Sequence, residues 1–133
     1  MVRWLSGSSA GLQNLIQWFN STTHLQEERS EMNTDELIQA VKVWGRDREI
    51  NNPIMQYAKV IEEAGEIAHE ITRGKYKDYN PDLKDAFGDT MVTLVILADI
   101  LGYDIIDCLN AAYNEIAPRQ GKTINGSFVK DAQ

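Results

Sequence analysis

Two short acidic arrays hold most of the chemistry this sequence could perform. The first lies in Lys59-Val-Ile-Glu-Glu-Ala-Gly-Glu66, where Glu63 and Glu66 stand three residues apart, Glu70 continues the series and Glu62 sits one step round from it. On a helix that spacing brings the side chains out of one face about a turn apart. The second array is Asp82, Asp85 and Asp89. At the rise of an α-helix, Asp85 and Asp89 are about 6 Å apart along the axis, whereas Asp82 and Asp89 are ~10.5 Å apart, too far for short side chains to share one ion comfortably. Like charges at these spacings cost a few tenths of a kcal/mol per pair unless something neutralises them. If the two faces meet, Glu63, Glu66, Asp85 and Asp89 form an all-oxygen cage suited to magnesium, with manganese as a substitute, because both prefer hard oxygen ligands and keep positions open for water and phosphate. The plain alternative is two solvated faces, the usual situation of charged residues.

The elements that must position these acids read as helices. Sustained alternation of the strand type is absent, and three- and four-residue steps recur throughout. Leu12, Leu15, Ile16, Phe19 and Leu25 place a first helical stripe at residues 10–28, interrupted near Asn20-Ser-Thr-Thr. Asn33 and Glu36 are spaced like a capping box and start a helix with Leu37, Ile38, Val41 and Trp44 on one side. Pro53 opens a helix running to about Arg73, with Ile54, Tyr57, Ile61, Ala64, Ala68 and Ile71 as its apolar stripe and Gly74 as its stop. Asn80-Pro81 opens another that extends to Leu101, and its half Met91–Ala98 is apolar nearly all round, so several neighbours must cover it. Asp104 caps a last helix, from Ile105 to about Ala117, ended by Pro118. The expected fold is an all-α bundle of four helices with an extra N-terminal helical segment, completed by a homo-oligomer (a dimer or dimer of dimers). Residues 1–31 form an N-terminal extension, 32–133 the main domain, and a basic, glycine-containing arm begins at about 119.

Composition limits the function classes. A chain of 133 residues is one domain in size, and 43% hydrophobic residues fit a globular fold. A formal charge of −7 argues against binding a nucleic-acid polymer, though not against a nucleotide reached through divalent metal. The longest nearly apolar run, Met91–Ala98, is far short of a membrane span, and Trp4-Leu5 gives way at once to Ser-Gly-Ser-Ser, so neither a membrane partner nor a signal peptide is expected. Cys108 reads as a buried helix residue in a reducing compartment, which places the protein in the cytoplasm, that of the host if a phage encodes it.

Glu62-Glu63-Ala-Gly-Glu66, then Gly88-Asp89, Leu101-Gly102, Ala112-Tyr113, Arg119-Gln-Gly-Lys122 and Asn125-Gly-Ser-Phe-Val-Lys130 resemble in order the MazG-like, all-α nucleoside triphosphate pyrophosphohydrolases. The resemblance covers roughly residues 34–131, and the closing segments look most like the compact, phage-type members. It implies hydrolysis between the α- and β-phosphates of a nucleoside triphosphate, yielding a monophosphate and pyrophosphate with magnesium. It implies Glu63, Glu66 and Asp89 as metal ligands. Where the family usually has Glu-x-x-Asp on the third helix, this chain has Ala86 at the glutamate position, and Asp85 is the substitute. Glu62 becomes either a further ligand or the group that orients or deprotonates the attacking water. A purine deoxynucleotide such as dGTP is the substrate leaned towards.

The remaining candidates have two readings each. Lys59 reaches substrate phosphate, or makes an intrahelical ion pair with Glu63. Arg119, Lys122 and Lys130 close over the triphosphate, or belong to a solvated terminus. Asn125 reads a base edge, or is a turn residue before Gly126. Trp44, Tyr113 and Asn114 line a base pocket, or serve the core. His69 reads as solvated. Two rival functions remain: removal of pyrophosphate from a phosphoribosyl-ATP intermediate, and a non-catalytic acidic helical oligomer that binds divalent cations or a protein partner.

Overall fold

The computed structural model describes residues 13–17 and 32–132. Residues 13–17 are helical, in line with part of the first expected stripe, and the rest of that stripe lies outside the described residues. Beyond them come four helices, α1 (Thr34–Asp47), α2 (Pro53–Thr72), α3 (Pro81–Ile100) and α4 (Ile105–Ile116), then two strands, β1 (Gly121–Ile124) and β2 (Ser127–Lys130). The chain divides into two compact units, Met1–Ala40 and Val41–Gln133.

In the first unit the capping box forms as the spacing requires: the Glu36 amide donates to Asn33 Oδ1 at 2.9 Å, and the Asn33 amide donates to Glu36 Oε2 at 3.3 Å. The second unit shows the same economy at its helix starts. Asn52 accepts from the amides of Ile54 and Met55, Asn80 from that of Asp82, and Asp104 from those of Ile106 and Asp107. Pro53 and Pro81 occupy first-turn positions where no amide is needed. Gly74 and Gly102, both at positive φ, follow α2 and α3 as expected.

The packing departs from the expected faces. The helices α2 and α3 form an antiparallel pair, because Gln56 near the start of α2 meets Thr93 near the end of α3, while Glu70 near the end of α2 meets Asn80 at the start of α3. On α2 the covered stripe is Gln56, Val60, Glu63, Ile67 and Glu70, and on α3 it is Leu83, Ala86, Thr90, Thr93 and Leu97. The predicted inward stripe of α2 is exposed instead, Ile54 by 74%. Phe87, Met91 and Leu94 of α3 are exposed too, as are Leu109, Tyr113 and Ile116 of α4. Among the described residues the buried apolar side chains are few, Ile38, Ala86, Val95 and Ile96, and the expected inward stripe is not among them. On α1 the expected stripe holds in part: Ile38 is buried and Val41 half-buried, but Leu37 and Trp44 face solvent, while Lys42 and Gly45 are covered. There, a Cβ on Gly45 would come within 3.2 Å of Ile96, so the glycine allows close approach to α3.

The arm carries strands that the all-α expectation did not include: it forms an antiparallel hairpin, with Lys122 opposite Val129 and Ile124 opposite Ser127. Asn125 and Gly126 both have positive φ, as a tight hairpin turn with matching twist requires. The fold is mostly helical with this small sheet, not purely α.

Candidate functional site

The acids of α2 and α3 are placed by rotation about the shared seam. Each helical residue advances about 100°, so Glu66, three beyond the seam residue Glu63, is turned back by about 60°. Lys59 and Glu62 lie on that same side, and so do Asp82, Asp85 and Asp89 relative to the α3 stripe. The dyad relating two antiparallel helices is perpendicular to the plane containing them. Residues displaced from the seam in the same rotational sense therefore emerge on the same face of the pair. Glu62, Glu66, Asp82, Asp85 and Asp89 accordingly share one exposed face, and Ile54, Tyr57, Ile61, Ile71, Phe87, Met91 and Leu94 share the other.

Glu63 stands apart from these. It is half-buried in the seam, seven residues after Gln56 and seven before Glu70. Both neighbours in this polar series are fastened across the seam, Gln56 to the Thr93 carbonyl at 3.2 Å and Glu70 to the Asn80 amide at 2.8 Å. Glu63 makes no side-chain hydrogen bond among the described residues. Continuing the Gln56–Thr93 register by seven residues on each helix brings Glu63 level with the buried Ala86. A glutamate at position 86 would point into that seam; Asp85 instead lies on the exposed acidic face.

Lys59 pairs with Glu62 at 2.9 Å, not with Glu63 as the four-residue spacing led us to expect. That bond, with the charges of Glu62 and Glu63, raises the Lys59 pKa. The side chains of Glu66, Asp85 and Asp89 make no hydrogen bond or ion pair among the described residues. No three His, Cys, Asp or Glu side chains among those residues are gathered tightly enough to hold one metal ion. Glu66, Asp85 and Asp89 share a face and are unengaged, but the described residues do not by themselves gather the cage.

Asp99, at the far end of α3, is committed to an ion pair. Asp99 accepts from Arg46 Nη2 at 2.6 Å and from Nε at 2.8 Å. That paired bond holds the Asp99 carboxyl below its usual pKa despite partial burial. Asp104 is lowered by its helix-cap bonds, first that from the Asp107 amide.

The peripheral candidates separate. Trp44 is 46% exposed, with the Arg48 guanidinium 4.2 Å over its ring, so it is not a core residue. Tyr113 and Asn114 are exposed on α4, and so is Cys108, contrary to its expected burial. Asn125 is the hairpin turn residue. Arg119 pairs with Glu115 and lines with Lys130 a cleft of about 460 Å³. Lys122 and Lys130 sit at successive pair positions of the ribbon, opposite Val129 and Gly121, and so point to opposite faces of it. The three cations cannot close together from one side. His69 is exposed and is bonded to Arg73 at 2.9 Å.

Sequence reasoning missed the Glu70–Asn80 and Arg46–Asp99 contacts and the polar seam. The seven-residue repeat of Gln56, Glu63 and Glu70 was its readable signal.

No family model matches the chain, and no solved structure matches it. It is 36% identical over 67 residues to an uncharacterized 18.2 kDa protein in the rep-hol intergenic region of Haemophilus phage HP1 (strain HP1c1). That match takes in 47% of this chain and 38% of the phage protein, so the chain spans well under half the length of this relative. Among the described residues no helix is long and apolar enough to cross a membrane.

Proposed function

We propose that the chain is a magnesium-dependent nucleoside triphosphate pyrophosphohydrolase of the MazG-like kind, converting a (d)NTP and water to the monophosphate and pyrophosphate. One observation carries the reading: a half-buried Glu63 without a hydrogen bond sits in the seam beside a single face that presents unengaged Glu66, Asp85 and Asp89. This donor set is all carboxylate oxygen and suits magnesium or manganese. Glu63, Glu66 and Asp89 would hold the ion, with Asp85 in place of the family's usual glutamate. Bound there, the ion neutralises phosphate charge and lowers the pKa of a coordinated water.

The chain's own groups have separable tasks. Glu62 orients the attacking water or takes its proton, once its carboxylate leaves Lys59. Lys59, fully charged at neutral pH, then turns to substrate phosphate. Arg119 and Lys130 supply further positive charge from their shared cleft. Trp44 offers an indole face to a base if Arg48 moves aside, and a purine deoxynucleotide such as dGTP is the preferred substrate. The exposed apolar face of α2 and α3 is covered by a second copy of the chain, in a dimer or dimer of dimers acting in the cytoplasm, that of the host if a phage encodes it.

The apolar face serves equally a non-catalytic oligomer whose acids bind cations or a partner. Glu63→Ala separates the two. Loss of nucleotide turnover with folding retained supports the enzyme, and turnover that is absent from wild type, or that the substitution leaves unaffected as a contaminant's would be, supports the non-catalytic oligomer.

A further inference from the structure

We propose that Glu70 is a positioning residue: through Asn80 it fastens the start of α3 to the end of α2, and so keeps Asp82, Asp85 and Asp89 aligned with Glu63 and Glu66. The proposal rests on the metal-site reading and extends it to a carboxylate that touches neither metal nor substrate.

Glu70 belongs by spacing to the acidic series, yet its environment differs from that of the others. It is 8% exposed, where Glu62 and Glu66 are open to solvent. Its Oε2 accepts from Asn80 Nδ2 at 2.8 Å. The same amide nitrogen donates to the Lys75 carbonyl at 3.1 Å, and Asn80 Oδ1 accepts from the Asp82 amide at 3.0 Å. An amide side chain has two N–H donors and one carbonyl, so each part of the Asn80 amide group is engaged. The Glu70 carbonyl also accepts from the Lys75 amide at 3.0 Å, which ties the turn from both its backbone and its side chain. Leaving a covered donor unmet carries a desolvation cost, which any acceptor oxygen at this place avoids. Removing this carboxylate therefore frees the cap of α3, and every aspartate of the second array lies within the helix that the cap begins.

The test compares Glu70→Ala and Glu70→Gln with the wild type in the full chain, by amide hydrogen exchange across Lys75–Lys84 and by Mn²⁺ titration. Glutamine keeps a carbonyl oxygen that can accept the same bond. Glu70→Ala is expected to speed exchange at Asp82–Lys84 by about tenfold or more and to weaken Mn²⁺ binding by about tenfold, while Glu70→Gln stays within about twofold of wild type in both. Should Glu70→Ala not fold, Asn80→Asp keeps the cap oxygen, removes the donor and should give the same two losses. Unchanged Mn²⁺ affinity beside faster exchange overturns the positioning role, as does a Glu70→Gln variant as weak as Glu70→Ala, which would make the charge itself the requirement. A wild-type chain that binds no Mn²⁺ overturns the metal reading separately, and the exchange comparison then decides whether Glu70 holds the start of α3.

Discussion

Gln56 donates from its side-chain amide to the Thr93 carbonyl across the α2–α3 seam at 3.2 Å. This bond joins one end of the helix pair, as the Glu70–Asn80 bond joins the other. With these ends included, the stripes of the seam hold as many polar as apolar side chains. Its threonines are satisfied within α3, Thr90 donating to the Ala86 carbonyl at 2.7 Å and Thr93 to the Thr90 carbonyl at 2.8 Å. The two end bonds mark the level at which the acid-bearing helices meet.

Gln56 is therefore expected to matter more than an amide on a helix usually does. Gln56→Ala removes a covered side chain and its bond, and should cost about 1–3 kcal/mol of stability, read as a lowered midpoint in denaturant. A change below a few tenths of a kcal/mol would mean the bond is replaced by water at no cost.

Gly45 faces Ile96 closely, and two effects oppose each other there. Alanine would gain about 1 kcal/mol in helix propensity, but its Cβ would lie 3.2 Å from Ile96. Valine adds two methyl groups at the same contact and should destabilise by about 1–3 kcal/mol in thermal or chemical unfolding. If valine stabilises the protein, the contact is looser than the geometry indicates.

The exposed apolar face gives the oligomer a direct test. Met91, 62% exposed, lies in it beside Phe87 and Leu94. Met91→Glu places a charge on that face and should shift the mass measured by light scattering from an oligomer to a monomer. An unchanged mass would move the interface elsewhere.

Asp99 predicts a pH dependence. Its folded pKa is depressed by the Arg46 bond, so its contribution to stability is fully present above the unfolded value near about 3.9. The contribution is lost as pH falls through the lower folded value. Wild type should therefore lose more stability than Asp99→Asn on acidification below about pH 4, with both curves near parallel above pH 6. Parallel curves throughout would contradict the pairing.

The helices were legible because their punctuation is local. Asn33, Asn52, Asn80 and Asp104 cap their own chain neighbours, and Gly74 and Gly102 end helices through their own φ. The hairpin was legible too, in Asn125-Gly126 between Lys122–Ile124 and Ser127–Val129, but strands this short show too little alternation to stand out within a basic arm. The inward faces were not. Hydrophobic spacing selected Ile54, Tyr57 and Ile61, residues a single chain leaves exposed, whereas the actual seam uses Gln56, Glu63 and Glu70. Periodicity reports which face is apolar, not whether the same chain or another covers it. The acidic arrays could be read individually, but their common face depended on the antiparallel register, and that rests on the long-range bonds of Gln56 and Glu70.

The most direct test of the proposed chemistry is to incubate the purified chain with each dNTP and NTP, with and without magnesium or manganese, and to identify the products by chromatography. The account predicts metal-dependent formation of the nucleoside monophosphate and pyrophosphate, fastest with a purine deoxynucleotide. Diphosphate and orthophosphate would contradict the bond assigned, and no turnover across the panel would contradict the proposed triphosphate hydrolysis.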